Sequence, residues 1–525
     1  MMNTIRNSWR SADLLSGASS MRAGLFVLLV SALATLAATL IIGYLTLEPF
    51  TGAFIIAAGI SVAAIAALVL INVKSAIPLL MIFAPITSVF WFKFKVYTGG
   101  RPFIANFLMI DVVAIVVFVC YLLYSSTVKG KTYSYVAKAY QGNLNILLFL
   151  FTGWIFLSVL WSPSTICSLY ASALFIMHSL IYFTLAALIK TERDLNTVVK
   201  TMFALAVVIS VTMLISIVPI KSLDIRKMYL VADWLALKVT FNGNSMRAAG
   251  LTNEKTASEF IGLSILVSMA LFSHTRDKKR RLLLACLIVI SGFAFLFAQS
   301  KSAATGLLAG LLLLSFALNK TRAYFIRNLF RFFSVFILMF AIFLTAQAGL
   351  LSLRNINKEQ SLPTIYASKS QVQDALSSRL KWWNNCYNKM AARDAYLYGL
   401  GIGGCGYYIR LPGGEPGFVG TEVANPHSTY LSIFFDLGII GSLLFLSLVL
   451  LSAIRVYRLM KKLRDGLEKD MLTALLCGAM ITGMLAVTEV SYYQSVSIWV
   501  LAGIAVAAFR IIVSKQAEAE EHGKT

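Results

Sequence analysis

Apolar residues in this chain run in near-continuous blocks of about twenty, cut by short polar or cationic segments. A helix block that long matches the ~30 Å hydrocarbon core of a bilayer at 1.5 Å of rise per residue. The blocks cover 24–46, 52–72, 76–92, 107–124, 144–161, 169–189, 200–219, 257–273, 282–298, 303–318, 332–349, 428–453, 471–488 and 496–514. The pattern predicts an all-α fold, a polytopic membrane helical bundle of about 12–14 transmembrane helices. The lower figure applies if two short runs, such as 76–92 and 303–318, only re-enter the membrane.

Two polar connections are long, 220–256 and 350–426. They divide the chain into N-terminal helices over 1–219, central helices over 220–349 that include the loop 220–256, a large loop over 350–427, C-terminal helices over 428–514 and a tail over 515–525. Inside the large loop, Leu376, Leu380, Trp383, Tyr387 and Met390 recur at helical spacing. That spacing predicts an amphipathic helix lying on the membrane interface or capping a cavity. Arg379, Trp382, Cys386, Lys389 and Arg393 fall on a neighbouring face. This cationic and aromatic stripe serves either interfacial anchoring or anion binding.

Composition agrees with the pattern. Hydrophobic residues make up 58% of the chain and charged residues only 13%, against about 25% charged in soluble domains. A soluble enzyme and a disordered protein are both excluded. Net charge is +23, from 46 Lys and Arg against 23 Asp and Glu. In a soluble chain that balance points to nucleic acid. Here the cations crowd into alternate connections, notably 274–281 and 455–464, where they set topology and meet anionic lipid. The partner is therefore membrane lipid and no nucleic acid is expected. Both termini fall in the cytoplasm and the two long loops on the outer side. The start, 1–22, is polar, and the first apolar run is long enough to span rather than to be cleaved.

Of the four histidines, His274 and His522 fall on the cytoplasmic side and His178 inside a span. Only His427 falls on the outer face, in the segment Asn425-Pro426-His427-Ser428. Pro426 suits the first turn of a helix, which puts His427 near a helix N-terminus. The helix dipole there disfavours the imidazolium and keeps the ring neutral, able to accept a proton. A structural role for His427 stays open beside the catalytic one. No H-E-x-x-H, paired C-x-x-C or outer acidic cluster occurs, so no metal is expected. Gly401 to Gly406 satisfies G-x-G-x-x-G, but in an outer loop without a βαβ unit it reads as a turn or a backbone anion nest. Cys386 and Cys405 share the large loop, and whether they bridge is open at this level.

The segment His427-Ser428, nine residues, Gly438-Ile439-Ile440-Gly441 resembles the H-[NSQ]-x9-G-x-x-[GTY] pattern of the O-antigen ligases. On a straight helix Gly438 and Gly441 share a face with His427, Leu431 and Phe434, a helix-packing motif that admits a neighbouring helix. Asp436 lies half a turn round, so it is not expected to orient His427 and should face the bundle. Other stretches resemble the superfamily of O-antigen ligases and polysaccharide polymerases: Arg247 to Ala257, Ala298 to Ala303, Ser378 to Trp383 and Tyr398 to Gly403, with a faint match at Trp161-Ser162-Pro163. The resemblance implies a membrane glycosyltransferase of the bacterial inner membrane with its site facing the periplasm. The implied donor is an undecaprenyl-diphosphate-linked glycan and the implied acceptor a sugar hydroxyl of lipid A–core, with no cofactor or metal. His427 would be the catalytic base, and Arg247, Arg379 and Lys301 would bind the donor diphosphate. Lys301 stands where Arg is common, which removes a bidentate contact. An O-antigen or exopolysaccharide polymerase shares these motifs. A lipid-linked sugar flippase or transporter shares the hydropathy, although no internal repeat accompanies it.

Overall fold

The computed structural model describes residues 63–85, 91–98, 101–129, 143–217, 238–242, 245–250, 254–318, 369–408, 427–462, 467–488 and 496–522, together with positions 341 and 345. The expected spans 24–46 and 332–349, most of 220–256 and the stretch 409–426 lie outside the described residues, apart from those two positions and the short strands given below.

Helical residues 63–71 lead into α1 (Ala76–Phe83). Strands β1 (Trp91–Thr98) and β2 (Arg101–Leu108) precede α2 (Met109–Lys129), α3 (Asn143–Ser158), α4 (Thr165–Leu188) and α5 (Glu192–Ile217). Strands β3 (Lys238–Asn242) and β4 (Ser245–Gly250) precede α6 (Glu254–His274), α7 (Lys278–Ala298) and α8 (Lys301–Leu318). The chain continues with α9 (Lys369–Ala391), the short α10 (Gly404–Tyr408), α11 (Thr429–Lys462), α12 (Leu467–Thr488) and α13 (Val496–His522). Among the described residues seven helices are long and apolar enough to cross a membrane: α4, α5, α6, α7, α11, α12 and α13. Four shorter apolar helices accompany them. Leu282 and Leu283 on α7 and Phe149 on α3 are about two-thirds exposed, as lipid-facing side chains are and as a soluble surface rarely tolerates in bulk. The protein is a multi-pass membrane bundle.

One expected span is corrected. Among its described residues the run 76–92 is helical from Ala76 to Phe83, and its last two residues, Trp91 and Phe92, open a strand. Eight residues rise about 12 Å, too little to cross a bilayer. The sequence Trp-Phe-Lys-Phe-Lys-Val-Tyr over 91–97 instead alternates and is aromatic-rich, and Gly99-Gly100 supplies a two-residue hairpin link. The register pairs Trp91 with Leu108 and Thr98 with Arg101. A second antiparallel hairpin, β3–β4, pairs Thr240 with Arg247 and packs beside α5, α6 and α7. Two hairpins are thus added to the helical bundle.

Helices α6, α8 and α12 form the centre. A Cβ at Gly310 of α8 would stand 3.0 Å from the Cys477 carbonyl oxygen of α12 and 3.2 Å from Leu266 of α6. The missing side chain lets these backbones close up, which is how helices without a hydrophobic drive between them associate in lipid. Helices α6 and α12 are antiparallel, with Glu259 bonded to Thr482 near one end and His274 to Asp470 at the other. Further polar ties sit at the His274 end. Lys74 bonds Asp194 at 2.7 Å, and Arg510 donates to the carbonyls of Ala186 (2.8 Å) and Ile189 (2.7 Å), closing the C-terminus of α4. This end also carries the cations of 276–281 together with Arg455 and Arg458. His427 lies at the opposite end, where α6, α8, α11 and α13 begin and α7 and α12 finish.

Helix α11 is not straight. Gly438 has φ 70 and ψ −165, which interrupts the helix inside the apolar span. A broken ladder in hydrocarbon needs partners for every freed backbone group. They come from the segment that follows α9. Leu400 and Gly401 N–H groups donate to the carbonyls of Phe435 and Asp436, each at 2.8 Å. In return Ile439 and Ile440 donate to the carbonyls of Tyr396 (2.9 Å) and Leu397 (3.2 Å). The remaining Leu437 carbonyl accepts from the Trp154 indole of α3 at 2.9 Å. The close approach expected at Gly438 and Gly441 is therefore made by a loop rather than a helix. At Gly441 an added Cβ would run into Leu437 of the same helix, displaced by the break.

Replacing Gly438 by Ala should lower the thermal midpoint of the detergent-solubilised protein. The conformation is nearly glycine-only, costing about 1–3 kcal/mol by itself, and the new Cβ would overlap the Leu397 carbonyl. Gly153→Ala on α3, where no atom lies within 4 Å of the added carbon, is the control and should leave the midpoint unchanged. Equal midpoints for the two variants would show that α11 tolerates a continuous helix.

Candidate functional site

The site is built outward from the break. After α9 the chain makes a glycine-punctuated turn in which Gly399, Gly401 and Gly403 all have positive φ. At Gly401 (φ 86) a Cβ would come within 2.6 Å of the Ser158 carbonyl oxygen, so only glycine fits. The turn drives Ile402 into a pocket between α3, α4 and α11, where it is fully buried beside Phe151, Phe175 and Leu437. Its amide donates to Ser158 Oγ at 3.0 Å and its carbonyl accepts from Ser168 Oγ at 2.5 Å. The Ser162 hydroxyl in turn bonds that of Ser168. The Trp161-Ser162-Pro163 stretch thus lies where the turn docks. Asp436, buried one residue before Leu437, accepts from the Cys405 N–H at 2.9 Å and from the Gly403 N–H. It braces the turn through its amides and does not orient His427.

A disulfide joins Cys386 of α9 to Cys405 of α10, with their Cα atoms 5.6 Å apart. It fastens the long polar helix to the docked turn. The face of α9 that packs on the bundle is Trp382, Cys386 and Met390, four residues apart, with Trp383 beside them. Leu380 and Tyr387 of the expected apolar stripe are exposed instead, 52% and 48%. Lys389 and Arg393 sit over the Tyr408 ring at 5.7 and 5.3 Å.

His427 lies two residues before α11 and has φ 53. Ser428, not the histidine, caps the helix: its hydroxyl accepts from Leu431 N–H at 3.4 Å and its carbonyl from Ser432 N–H at 2.8 Å. Pro426 lies outside the described residues. The imidazole stacks on Trp382 of α9, with centroids 5.4 Å apart and planes at 24°. Arg379, one turn earlier on α9, and Lys255, at the start of α6, both act on it electrostatically. Burial, then Lys255, then Arg379 depress the His427 pKa from 6.5 to about 4. An indole face would favour an imidazolium through cation–π attraction, but desolvation and two like charges outweigh it. His427 is therefore neutral at pH 7, and burial rather than the dipole is the main cause.

Among the expected cations, Arg379 is brought to His427. Lys301 is exposed at the first residue of α8 and does not figure among the charges acting on the ring. Arg247 lies on β4, whose backbone runs beside α6; its side chain is outside the described positions. Lys255 was missed as a site residue, although it lies within the Arg247 to Ala257 stretch and near the start of an apolar helix, where a lone cation stands out. The docking serines Ser158 and Ser168 carried no legible signal, because Ser is common in such helices. Among the described residues no three His, Cys, Asp or Glu side chains converge as metal ligands.

The site is thus a neutral histidine at one end of a membrane bundle, stacked on an indole and flanked by two cations. Residues 286–446 match the O-antigen ligase family, a stretch that contains Lys301, Arg379, Trp382, His427, Gly438 and Gly441. Over that stretch, 161 of the 525 residues, the chain is similar to the O-antigen ligase family. No curated protein matches it.

The disulfide makes a count that can be checked. Unfolded without reductant, the protein should present four maleimide-reactive thiols of its six cysteines, and six after reduction. Six before reduction would mean that α9 is not fastened to the turn.

Proposed function

We propose that the protein is an O-antigen ligase of the bacterial inner membrane, transferring a glycan from undecaprenyl diphosphate to a sugar hydroxyl of lipid A–core at the periplasmic face. The observation that carries this reading is the stacking of His427 on Trp382 with Arg379 and Lys255 beside it, in a chain whose residues 286–446 match the O-antigen ligase family. The break in the sugar–oxygen bond builds negative charge on the departing diphosphate. Preorganised cations stabilise that charge, and the Arg379 guanidinium suits it through paired hydrogen bonds. We assign Arg379 and Lys255 to this role, with Arg247 and Lys301 as further cations for the donor diphosphate. The neutral His427 accepts the acceptor hydroxyl's proton as that oxygen attacks the anomeric carbon, and the diphosphate leaves with the bonding pair. The scheme draws on no cofactor and no metal.

A histidine with a pKa near 4 is a poor base by itself, since general bases work best near ambient pH. The donor corrects this. Its diphosphate offsets the charges of Lys255 and Arg379, the two groups that depress the ring from α6 and α9, and so raises the pKa of His427 in the complex. The base becomes effective when the leaving group is in place.

With purified enzyme, lipid-diphosphate-linked glycan and acceptor, His427→Gln should fold normally and lose roughly 10²–10⁴-fold in rate. Arg379→Lys should be impaired, because a point charge does not replace a planar fork. The acid limb of kcat/KM for the donor, which reports the free enzyme, should fall near pH 4, and that of kcat should lie higher. A stable His427→Gln enzyme of near wild-type rate would remove the base from the scheme. A product ladder of glycan still on its lipid carrier would make the enzyme a polymerase.

A further inference from the structure

Glu259 is a carboxylate that the proposed chemistry leaves unused. It lies on α6 four residues after Lys255, one turn deeper on the same face. Only 6% of it is exposed, and a carboxylate inside a membrane bundle is costly enough to need dedicated partners. Its partners come from two other helices: Thr482 of α12 donates to Oε1, and the Ser497 hydroxyl of α13 also bonds the carboxylate. Helix α11 closes the same region, because the Tyr430 hydroxyl lies against Gly483, the residue after Thr482, 3.9 Å from where a Cβ would stand. Helices α6, α12 and α13 therefore meet at Glu259, with α11 beside α12 at the His427 end of the bundle.

A carboxylate bonded to two neighbouring helices fixes the rotation of its own. Each residue advances an α-helix by about 100°, so a turn of α6 by one residue would swing Lys255 away from the side that meets His427. We propose that Glu259 is a positioning residue of the site, its bonds to Thr482 and Ser497 locking α6 in the rotation that presents Lys255 to His427. The functional meaning rests on His427 acting as the base, but the coupling itself can be read without turnover.

The two roles open to Glu259 differ in sign. As a nearby negative charge it would raise the His427 pKa, and its removal would lower it. As a lock on Lys255 its removal would raise the His427 pKa, because a like charge is withdrawn. Among the described residues the charged groups facing His427 are Lys255 from α6 and Arg379 from α9, and of these the first depends on Glu259. The full chain carrying ¹³C-labelled histidine in lipid nanodiscs gives the titration directly, with the His427 signal assigned by its loss in His427→Gln. Lys255→Met should raise the midpoint. Glu259→Ala should raise it by at least half as much, Glu259→Gln, whose Oε1 still accepts from Thr482 while its Nε2 donates to the Ser497 oxygen, should not raise it, and Glu259→Ala added to Lys255→Met should change nothing further. A midpoint in Glu259→Ala at or below wild type, a rise in Glu259→Gln equal to that in Glu259→Ala, or no response to Lys255→Met would overturn the proposal. Should Glu259→Ala not fold, Thr482→Val with Ser497→Ala carries the same expectation and the same refutation. An active His427→Gln enzyme with these shifts intact would reject the base and leave the positioning role standing.

Discussion

The architecture depends on one exchange of hydrogen bonds. Helix α11 breaks at Gly438 inside the apolar span, and the segment Tyr396–Gly401 supplies and receives the backbone bonds the break releases. In hydrocarbon an unmatched peptide group costs several kcal/mol, so the broken helix and the turn require one another. Everything at the His427 end hangs from this joint. The turn inserts Ile402 between α3, α4 and α11, Asp436 braces it, and the disulfide at Cys405 hands the geometry on to α9. Helix α9 then brings Trp382 and Arg379 to His427. A polar, weakly apolar helix that would not hold a fixed place on a bundle by burial alone is held by covalent and backbone ties instead.

The electrostatics of the site follow from that placement. His427 sits just outside the span, where burial and two like charges keep it neutral. The same cations that suppress its protonation are the ones an anionic leaving group would engage. On the proposed function, donor binding and proton acceptance would thereby be coupled through space, without a conformational step. The apolar frame strengthens the coupling, since charges interact more strongly at lower effective dielectric.

The membrane bundle was legible because its determinant is local. Runs near 169–189, 257–273, 282–298 and 496–514 each became a helix, extended by three to eight residues at one end at least. The 76–92 run was misread because length alone cannot separate a span from a strand, whereas the alternation over 91–97 and the Gly99-Gly100 and Gly243-Asn244 links were readable hairpin signals. At the site, His427 and Arg379 were legible from their spacing and from the resemblance. The break at Gly438 was not, because a helical wheel assumes the continuity that it destroys, and the segment satisfying the broken ladder lies some forty residues earlier in the chain. Lys255 and Glu259 escaped for a related reason: what they do depends on helices distant in sequence meeting at one end.

The central claim is that the turn docked on the broken helix brings a buried, cation-flanked environment to His427. The direct measure is the ¹³C titration of that imidazole in the native, ligand-free protein in nanodiscs. The account predicts a midpoint near 4, with the ring neutral throughout the physiological range. A midpoint at or above 6.5, the value of a solvated histidine, would contradict it, for the ring would then lie in water, away from Trp382, Lys255 and Arg379.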